Sequence, residues 1–396
     1  MIDYLEKCVD NDFPELKPER TFFAFRNGQL DITTHPPVFY DAARNIAPHS
    51  RVAIKFFDCE YDPSLEGKSW REIGTPAFDT IFIHQGYTGD TMRVVYAMLG
   101  RLLYEVGEHD NFQVCPFFKG VAGCGKSTVA QIVQDWFPPR LVSTISANME
   151  DKFGLAGIVE TYICMCTEVT KAFPLNRGVW QSMVTGESVV VPRKNKDPVD
   201  KEWTVPMAMF GNEAPQYIDK SGSVHRRMAL FCMRRPVDPA RADSNLLQKL
   251  RGGSAALLVK CNDAYREFAD EFREKSFWAP GVASQQMIEW HEDVLCEIDP
   301  LTAFLTYETE VGSDPVVYRV SQREFEDAFR TWGKERGVVH ARINELLESQ
   351  HLDAACERKG IKQVLGSREE NGPSNQRYLE GIRLREEEAR KEVFTL

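Results

Sequence analysis

Runs of apolar residues separated by polar turns divide the chain into a series of strands and helices. Up to about residue 85 the pattern predicts short strands and loops, with a turn signal at Asn27-Gly28. A helix is predicted over 91–107, where apolar residues recur at near-helical spacing and Gly107 is a plausible stop. Strands then alternate with helices, and the chain becomes mainly helical beyond about residue 240.

The alternating segment predicts the fold class. Alternation of strands with helices favours an α/β fold with a mostly parallel sheet. Within it we expect buried strands over 112–119, 140–146, 161–166 and 204–210, and helices over 126–137 and 149–160. Later helices are expected over 254–275, 323–337 and 341–351, with a closing strand over 377–384. The predicted regions are 1–85 (short strands and loops), 86–240 (the α/β core), 241–300 (a helical segment) and 301–396 (a small α/β module with a charged tail).

Composition is that of an ordinary globular protein. The 396 residues are 43% hydrophobic and 27% charged, which excludes collagen-like and disordered classes. Ten cysteines are scattered without any C-x-x-C, so reduced core thiols are expected rather than a zinc site or a disulfide framework. The acidic start lacks a secretory signal, and no stretch approaches 18 apolar residues. We therefore expect an intracellular, soluble protein with no membrane association.

A glycine-rich segment follows the first strand of the alternating region. GVAGCGKS at 120–127 matches G-x-x-x-x-G-K-[ST] and stands between a predicted strand and a predicted helix. Its backbone N–H groups form an anion nest, Lys126 reaches the β- and γ-phosphates, and the Ser127 hydroxyl ligates Mg²⁺. ATP and Mg²⁺ are therefore the predicted cofactors. The predicted nucleotide-binding residues are Gly120, Val121, Ala122, Gly123, Cys124, Gly125, Lys126, Ser127 and Thr128.

Two further polar residues follow predicted strands of the same region. Glu168 comes just after 161–166, where a P-loop hydrolase needs a carboxylate to hold Mg²⁺ or to activate water. Thr167 precedes it instead of a second acid, so either Glu168 serves both purposes or the metal depends mainly on Ser127 and the phosphates. Asn212 follows 204–210 and is suited to orient the attacking water or to read the γ-phosphate. An amide there favours an ATPase motor over a simple kinase.

Basic residues are concentrated in two segments although the net charge of the chain is −11. Residues 171–201 hold six basic and three acidic residues and include a predicted hairpin, whose tip carries Arg193, Lys194 and Lys196. Such a tip can grip a phosphate backbone. Residues 220–235 hold five basic residues and no acid. Arg226 and Arg227 are alternative candidates for an arginine finger presented to a neighbouring subunit. The acidic surplus lies elsewhere, so the net charge does not exclude DNA.

The order and spacing of these motifs resemble the superfamily 3 helicases, in particular the poxvirus-type helicase–primase proteins of nucleocytoplasmic large DNA viruses. The segments that carry the resemblance are 100–128, 146–155, CTEV at 166–169, 180–196, FGNEAP at 210–215 and 219–228. The resemblance implies an AAA+-type P-loop ATPase domain over 86–240. It also implies a ring, usually a hexamer, around DNA, and it suggests a winged-helix-like C-terminal part.

The resemblance also implies a role for each candidate residue. Lys126 and Ser127 correspond to Walker A, Glu168 to Walker B and Asn212 to sensor 1. Arg226 or Arg227 corresponds to the finger acting in trans, and Lys194 and Lys196 lie on the hairpin that faces the channel. Larger members of the family carry an N-terminal primase domain. Residues 1–85 show no primase acid cluster, so the chain is either a helicase-only protein or a piece of a longer one.

The function implied is an ATP-dependent DNA helicase that unwinds duplex during replication of a viral or mobile-element genome. Its implied partners are DNA, further copies of the chain, and a primase or polymerase. If the chain is viral, its compartment is the host cytoplasm or nucleus. Two alternatives stay open: a P-loop nucleotide phosphotransferase, and an adaptor that binds nucleotide without helicase activity.

Overall fold

The computed structural model describes residues 18–41, 51–145, 154–193, 196–215, 217, 223–314, 316–365 and 377–385. The chain forms two compact units, Met1–Pro215 with Arg227–Met287, and Gln216–Arg226 with Ile288–Leu396. Each unit is built around its own layers of helices and sheets.

The first unit begins with a four-stranded sheet. Its strands are β1 (Pro18–Phe25), β2 (Gly28–Asp31), β3 (Val38–Asp41) and β4 (Val52–Phe56), in the order β3-β2-β1-β4. The predicted turn is present, because Phe25 pairs with Gly28 across a two-residue loop. Arg20 on β1 attaches this sheet to the rest of the unit through hydrogen bonds to the carbonyl oxygens of Leu102, Leu103 and Tyr162.

A five-stranded, all-parallel sheet forms the centre of the first unit, which confirms the predicted α/β class. The remaining strands of the unit are β5 (Cys115–Gly120), β6 (Val142–Thr144), β7 (Ile163–Val169), β8 (Ser188–Arg193), β9 (Lys196–Glu202), β10 (Met207–Gly211) and β11 (Met228–Met233). The central sheet has the order β11-β5-β10-β7-β6. Every residue of β10 and β11 is buried, as expected of strands covered on both faces. Pro116 lies opposite Ala229 in the ladder between β5 and β11, and the ladder with β10 begins one residue later, at Phe117.

The first unit also contains the helices α1 (Pro76–Gln85), α2 (Gly89–Arg101), α3 (Lys126–Gln134), α4 (Gly154–Ile158), α5 (Arg177–Thr185), α6 (Leu246–Gly252) and α7 (Ser254–Phe272). Of these, α3, α4 and α5 lie in the connections between strands of the central sheet. The next helix, α8 (Gln285–Ile298), begins in the first unit and continues into the second. α1 lies where strands and loops were predicted. Its signals are Pro76 at the first helical position and Gly86 after the last, in the left-handed conformation with φ of 77°.

Some predicted helix boundaries are wrong. The helix predicted over 91–107 ends at Arg101, because Leu102–Tyr104 enter the core through turns while continuing the apolar spacing. Of the helix predicted over 149–160, residues 149–153 lie outside the described ranges and α4 covers Gly154–Ile158. Eight cysteines in the described ranges are free thiols and seven of these are buried, as expected. No helix in those ranges is long and apolar enough to cross a membrane.

The second unit combines helices with small antiparallel sheets. Its elements are α9 (Pro300–Tyr307), β12 (Thr309–Val311), β13 (Arg319–Ser321), α10 (Gln322–Glu335), α11 (His340–Leu346), α12 (Ser349–Arg358), β14 (Lys362–Leu365), β15 (Arg377–Glu380) and β16 (Ile382–Leu384). Phe304 packs edge-on against Phe325 and Phe329 in the core. The strand predicted over 377–384 is broken at Gly381, and its halves join different sheets, β13-β15-β14 and β12-β16. The helix predicted over 341–351 is likewise split between α11 and α12.

A buried ion pair fixes the chain where it enters β5. Arg101, at the end of α2, donates to both carboxylate oxygens of Asp110, at 2.7 and 3.1 Å, and to the carbonyl oxygen of Val114. Tyr265 on α7 donates to the same carboxylate at 2.6 Å. Burial alone would raise the pKa of Asp110, but Arg101 and these hydrogen bonds outweigh it and hold the pKa below its usual value. The pair thus joins α2, β5 and α7.

Replacing the carboxylate in Asp110→Asn is expected to destabilise the protein by about 3–5 kcal/mol, because the buried Arg101 charge loses its partner. Urea unfolding at pH 7 measures this loss. Since the folded-state pKa of Asp110 is lowered, its contribution is complete above the unfolded-state pKa and disappears as the pH falls through the folded-state value. Asp243→Asn, which removes the exposed partner of Lys249, is the matched control and should change stability far less.

Candidate nucleotide-binding site

The glycine-rich loop connects β5 to α3 and curls tightly beneath the start of the helix. Gly123 and Gly125 have φ of +73° and +102°, in the left-handed region that other residues rarely adopt. Gly120 is required for a different reason, because a Cβ atom there would lie 2.1 Å from the carbonyl oxygen of Met233 on β11. The loop therefore has the backbone needed for a nest of N–H groups at a helix N-terminus.

Hydrogen bonds attach the loop to its surroundings. Val121 N donates to the carbonyl oxygen of Met233 at 3.2 Å, and Val237 N donates to that of Gly123 at 2.9 Å. The side chain of Gln85 donates to the carbonyl oxygen of Cys124 at 3.2 Å. Through these bonds the segment after β11 and the end of α1 border the loop.

Lys126 begins α3 and turns its ammonium group back over the loop. Its Nζ donates to the carbonyl oxygens of Gly120 at 2.7 Å and Val121 at 2.6 Å. Ser127 follows and is exposed, while Thr128 is half-buried. The ammonium group is thus held at the mouth of the nest, where an anionic phosphate would compete with the two carbonyl oxygens as its acceptor.

The strand order aligns the other two predicted catalytic residues with the loop. β10 lies between β5 and β7, and Gly211 pairs with Lys119 on one side and Val169 on the other. Neighbouring strands are about 5 Å apart. Asn212 directly follows β10 and therefore lies between the loop that follows β5 and the end of β7. Asn212 and Glu168 are both exposed at this carboxyl edge of the sheet.

A register shift in β7 changes how Glu168 is presented. Cys166 pairs with Met209 and Val169 with Gly211, so Thr167 and Glu168 together oppose a single residue of β10. Both side chains are exposed, whereas regular alternation would turn them to opposite faces. Bulges of this kind re-aim side chains beside active sites. Here the bulge exposes Glu168 at the level where β7 ends.

Arg227, one of the two arginines predicted as fingers, lies at the opposite edge of the sheet, where the parallel strands begin. His225–Arg227 form a 3-10 turn that leads into β11, and Met228, the next residue, pairs with Cys115 at the start of β5. Six residue steps along the strands then separate the level of Arg227 from Gly120, a distance of about 20 Å. Arg226 is exposed and Arg227 is half-buried. Within one protomer, Arg227 is therefore remote from its own loop.

The predicted basic hairpin is formed by β8 and β9. The strands pair antiparallel, and Arg193 pairs with Lys196 at the end of the described ladder. Arg193 is exposed, and its Nε donates to the carbonyl oxygen of Asp197 at 3.1 Å. Lys194 lies outside the described residues, and Lys196 begins β9.

The donor set at the carboxyl edge suits a hard cation. Within the described ranges, no three His, Cys, Asp or Glu side chains cluster as metal ligands. Mg²⁺ does not require such a cluster, because it keeps several waters and binds through one or two carboxylates together with substrate phosphates. The Ser127 hydroxyl and the Glu168 carboxylate are exposed oxygen donors of the kind it prefers. The residues present therefore fit the ion.

The structure also brings residues to the loop that had no predicted role at the nucleotide site. Gln85 bonds the loop directly, and Arg235, just after β11, bonds Gln85 through its own N–H and carbonyl groups. Arg234 and Arg235 are exposed at the carboxyl edge. A usable signal existed for them, because residues that follow a parallel strand emerge at the same edge as the loop that follows β5. For Gln85, the Pro76 and Gly86 boundaries of α1 indicate the end of a helix but not its contact with the loop.

A parallel five-stranded sheet with a glycine-rich loop between a strand and a helix defines a P-loop-type α/β core. The model of a family of unknown function, DUF5906, matches residues 118–227, less than half of the chain. No curated protein matches the chain.

Among solved structures, the chain is similar to the C-terminal region of NrS-1. One apo form is 14% identical over 91% of this chain and 96% of that one, with a TM-score of 0.43. A second apo structure of that region is 12% identical over the same shares, with a TM-score of 0.44. JCV helicase with a bound small molecule is 15% identical over 57% of this chain and 62% of that one, with a TM-score of 0.29.

Proposed function

We propose that the chain is an ATP-dependent DNA helicase of the superfamily 3 type that works as a ring of identical copies, a hexamer by that resemblance. The observation that carries the proposal is the shared edge of the central sheet, where the loop ending in Lys126, the amide of Asn212 and the carboxylate of Glu168 follow three neighbouring strands. A phosphate nest, a water-orienting amide and a carboxylate are the parts that nucleotide hydrolysis needs.

The residues at this edge divide the work of hydrolysis. The N–H groups of the loop and the Lys126 ammonium neutralise the β- and γ-phosphates, which are the most highly charged part of ATP. Asn212 orients the attacking water, and Glu168 accepts its proton. Ser127 and Glu168 would hold Mg²⁺, which supplies further charge neutralisation to the phosphates when bound. Thr167 offers no carboxylate, so this scheme assigns proton transfer to Glu168 alone.

An arginine from a neighbouring copy completes the site in this proposal. Arg227 lies about 20 Å from the level of its own loop, measured along the strands. That separation favours action in trans, by Arg226 or Arg227 on the loop of the next copy. Contact between two different faces of the same chain is heterologous, and such contacts close into rings. A primase or polymerase is the further partner that we propose for a replicative ring.

The decisive experiment is ATP hydrolysis measured with and without single-stranded DNA, together with the native mass. We expect ATP turnover that rises with single-stranded DNA and a native mass that is a multiple of the mass of one chain. A phosphotransferase would instead pass phosphate to a nucleotide acceptor without any response to DNA. A nucleotide-binding adaptor would bind ATP without turnover. Either of those results would overturn the helicase assignment.

The hairpin is the proposed DNA contact, and removing its tip charges should separate DNA response from basal turnover. Lys194→Ala combined with Lys196→Ala should leave hydrolysis without DNA unchanged and abolish most of its stimulation by single-stranded DNA. If both lysines contact phosphates, the plot of log affinity against log salt concentration should become shallower by about 1.4, since each contact on a single strand contributes roughly 0.7. Fluorescence anisotropy of a labelled oligonucleotide measures this slope.

Lys201→Ala provides the matched control for the tip variant. Lys201 lies on the same hairpin, away from the tip, and its Nζ bonds the Glu160 carboxylate at 2.7 Å. This variant should retain both the salt slope and the stimulation. An unchanged slope and unchanged stimulation in the tip variant would contradict the assignment of the hairpin as the DNA contact.

A further inference from the structure

The side chain of a buried glutamine bonds three backbone groups, in two segments of the chain, beside the phosphate loop. Gln85, the last residue of α1, is only 7% exposed. Its Nε2 donates to the carbonyl oxygens of Cys124 at 3.2 Å and Arg235 at 2.7 Å, and its Oε1 accepts from Arg235 N at 2.8 Å. Both N–H groups and the oxygen of this side-chain amide are therefore engaged with backbone.

The bond to Cys124 acts on the part of the loop that is least constrained by its own sequence. Cys124 lies between Gly123 and Gly125, the two glycines with left-handed backbone conformations. Glycine populates both signs of φ at little cost, so the peptide plane between Cys124 and Gly125 has a weak intrinsic preference for one orientation. An external bond is therefore well placed to decide which way that plane faces.

The orientation of this peptide determines whether the N–H group of Gly125 points toward a bound anion. In a trans peptide, the carbonyl of one residue and the N–H of the next point in opposite directions. Because Gln85 holds the Cys124 carbonyl toward α1, the N–H of Gly125 must point to the opposite side of the loop. A nest requires its N–H groups to converge on the anion rather than on the protein interior.

We propose that Gln85 is a positioning residue that pre-forms the phosphate nest, by holding the Cys124–Gly125 peptide in the orientation that directs the Gly125 N–H toward a bound phosphate. The inference rests on the proposed nucleotide-binding function and adds to it a residue outside the motif. Gln85 itself touches no phosphate in this scheme. It removes the cost of orienting the loop when nucleotide binds, so its effect falls on affinity rather than on the chemical step.

The test compares Gln85→Met and Gln85→Glu with the wild type. Methionine keeps the length of the side chain and loses all three bonds, whereas glutamate keeps an acceptor for Arg235 N and loses the donor to Cys124. We expect both variants to raise the Kd and KM for ATP about tenfold, the change that follows from losing roughly one to two net hydrogen bonds. Because Lys126, Ser127 and Glu168 are untouched, kcat should stay within about twofold. Calorimetry gives Kd, and steady-state kinetics give KM and kcat.

Gln286→Met is the matched control for lost side-chain hydrogen bonds. Gln286 also bonds backbone twice, donating to the carbonyl oxygen of Gly86 at 3.0 Å and accepting from Thr88 N at 3.2 Å, and neither bond reaches the loop. Its variant should bind ATP as the wild type does, even if the melting temperature falls.

The outcomes separate this inference from the function on which it rests. If both Gln85 variants are less heat-stable but bind ATP with the wild-type Kd, Gln85 is structural and the inference is wrong. If Gln85→Glu alone binds like the wild type, the Cys124 bond does not set the loop, and the inference is equally wrong. A wild-type protein that fails to bind ATP would instead overturn the proposed function.

Discussion

Lys126→Ala should lower ATP turnover by at least about 100-fold while leaving the protein folded. Lys126 is the charged group of the loop, and its Nζ lies within hydrogen-bond distance of the carbonyl oxygens of Gly120 and Val121 at the mouth of the nest. Removing one preorganised group that stabilises charge in the transition state costs roughly 100- to 1000-fold in kcat. Alanine is also the residue that helices favour most, so α3 should still begin at this position.

A phosphate-release assay at saturating ATP measures the loss, and circular dichroism checks the fold. Lys249→Ala is the matched control, since Lys249 is an exposed lysine on α6 that pairs with Asp243. It should hydrolyse ATP at the wild-type rate. Wild-type turnover in Lys126→Ala itself would show that hydrolysis occurs elsewhere, and the assignment of the loop as the nucleotide site would be wrong.

The parts of the site that follow from local chemistry could be predicted from the sequence. The spacing of Gly120, Gly125, Lys126 and Ser127 requires a turn between a strand and a helix, and the structure has that turn. Gly186 and the run of valines over 189–191, followed by the basic residues, were enough to expect a hairpin, which β8 and β9 form. The apolar runs of β5, β7 and β10 likewise predicted buried strands, because strands covered on both faces carry few polar residues, whereas β11 was not predicted.

Other features depend on contacts between distant segments and could not be read from local patterns. The order β11-β5-β10-β7-β6 is a property of the whole sheet, and it alone decides that Asn212 lies between the loop and Glu168. The bulge at Thr167 arises from pairing with β10, so the exposure of both residues contradicts the alternation of an isolated strand. Gln85 acts on a loop 39 positions away in the chain, and no periodicity reports such a bond.

The sheet also distinguishes the basic residues of 220–235 that can reach the nucleotide site of their own copy from those that can act only on a neighbouring copy. The basic residues of this segment look like one cluster in the sequence. In the structure, β11 places Arg227 at one edge of the sheet and Arg234 and Arg235 at the opposite edge. Arg234 and Arg235 emerge beside the loop, whereas Arg227 precedes the strand and lies at the far edge. A residue that serves its own nucleotide must come from the first group, and one that serves a neighbour's nucleotide can come from the second. The separation of finger candidates from the loop is therefore what a trans mechanism requires.

Glu168→Gln should reduce kcat by about 1000-fold while changing the Kd for ATP by less than about threefold. Glutamine keeps the shape of the side chain but cannot take a proton from the attacking water, and general-base catalysis contributes roughly 100- to 10000-fold. Glu168 is exposed at the end of β7, so the substitution leaves the core intact. Hydrolysis under saturating ATP gives kcat, and calorimetry gives Kd. If the chain assembles as proposed, a variant that binds ATP but does not hydrolyse it should keep the native mass of the assembly with ATP bound.

Glu213→Gln is the matched control for this substitution. Glu213 is a second carboxylate at the same edge, one residue beyond Asn212, and it lies 3.6 Å from the Lys171 ammonium. Its loss should leave kcat within about twofold, because an exposed ion pair contributes little and this carboxylate has no assigned step. Equal reductions of kcat in the two variants would mean that hydrolysis depends on the negative charge at this edge of the sheet and not on one general base. Full activity in Glu168→Gln would show that Glu168 is not the general base and that no residue of β7 serves as one.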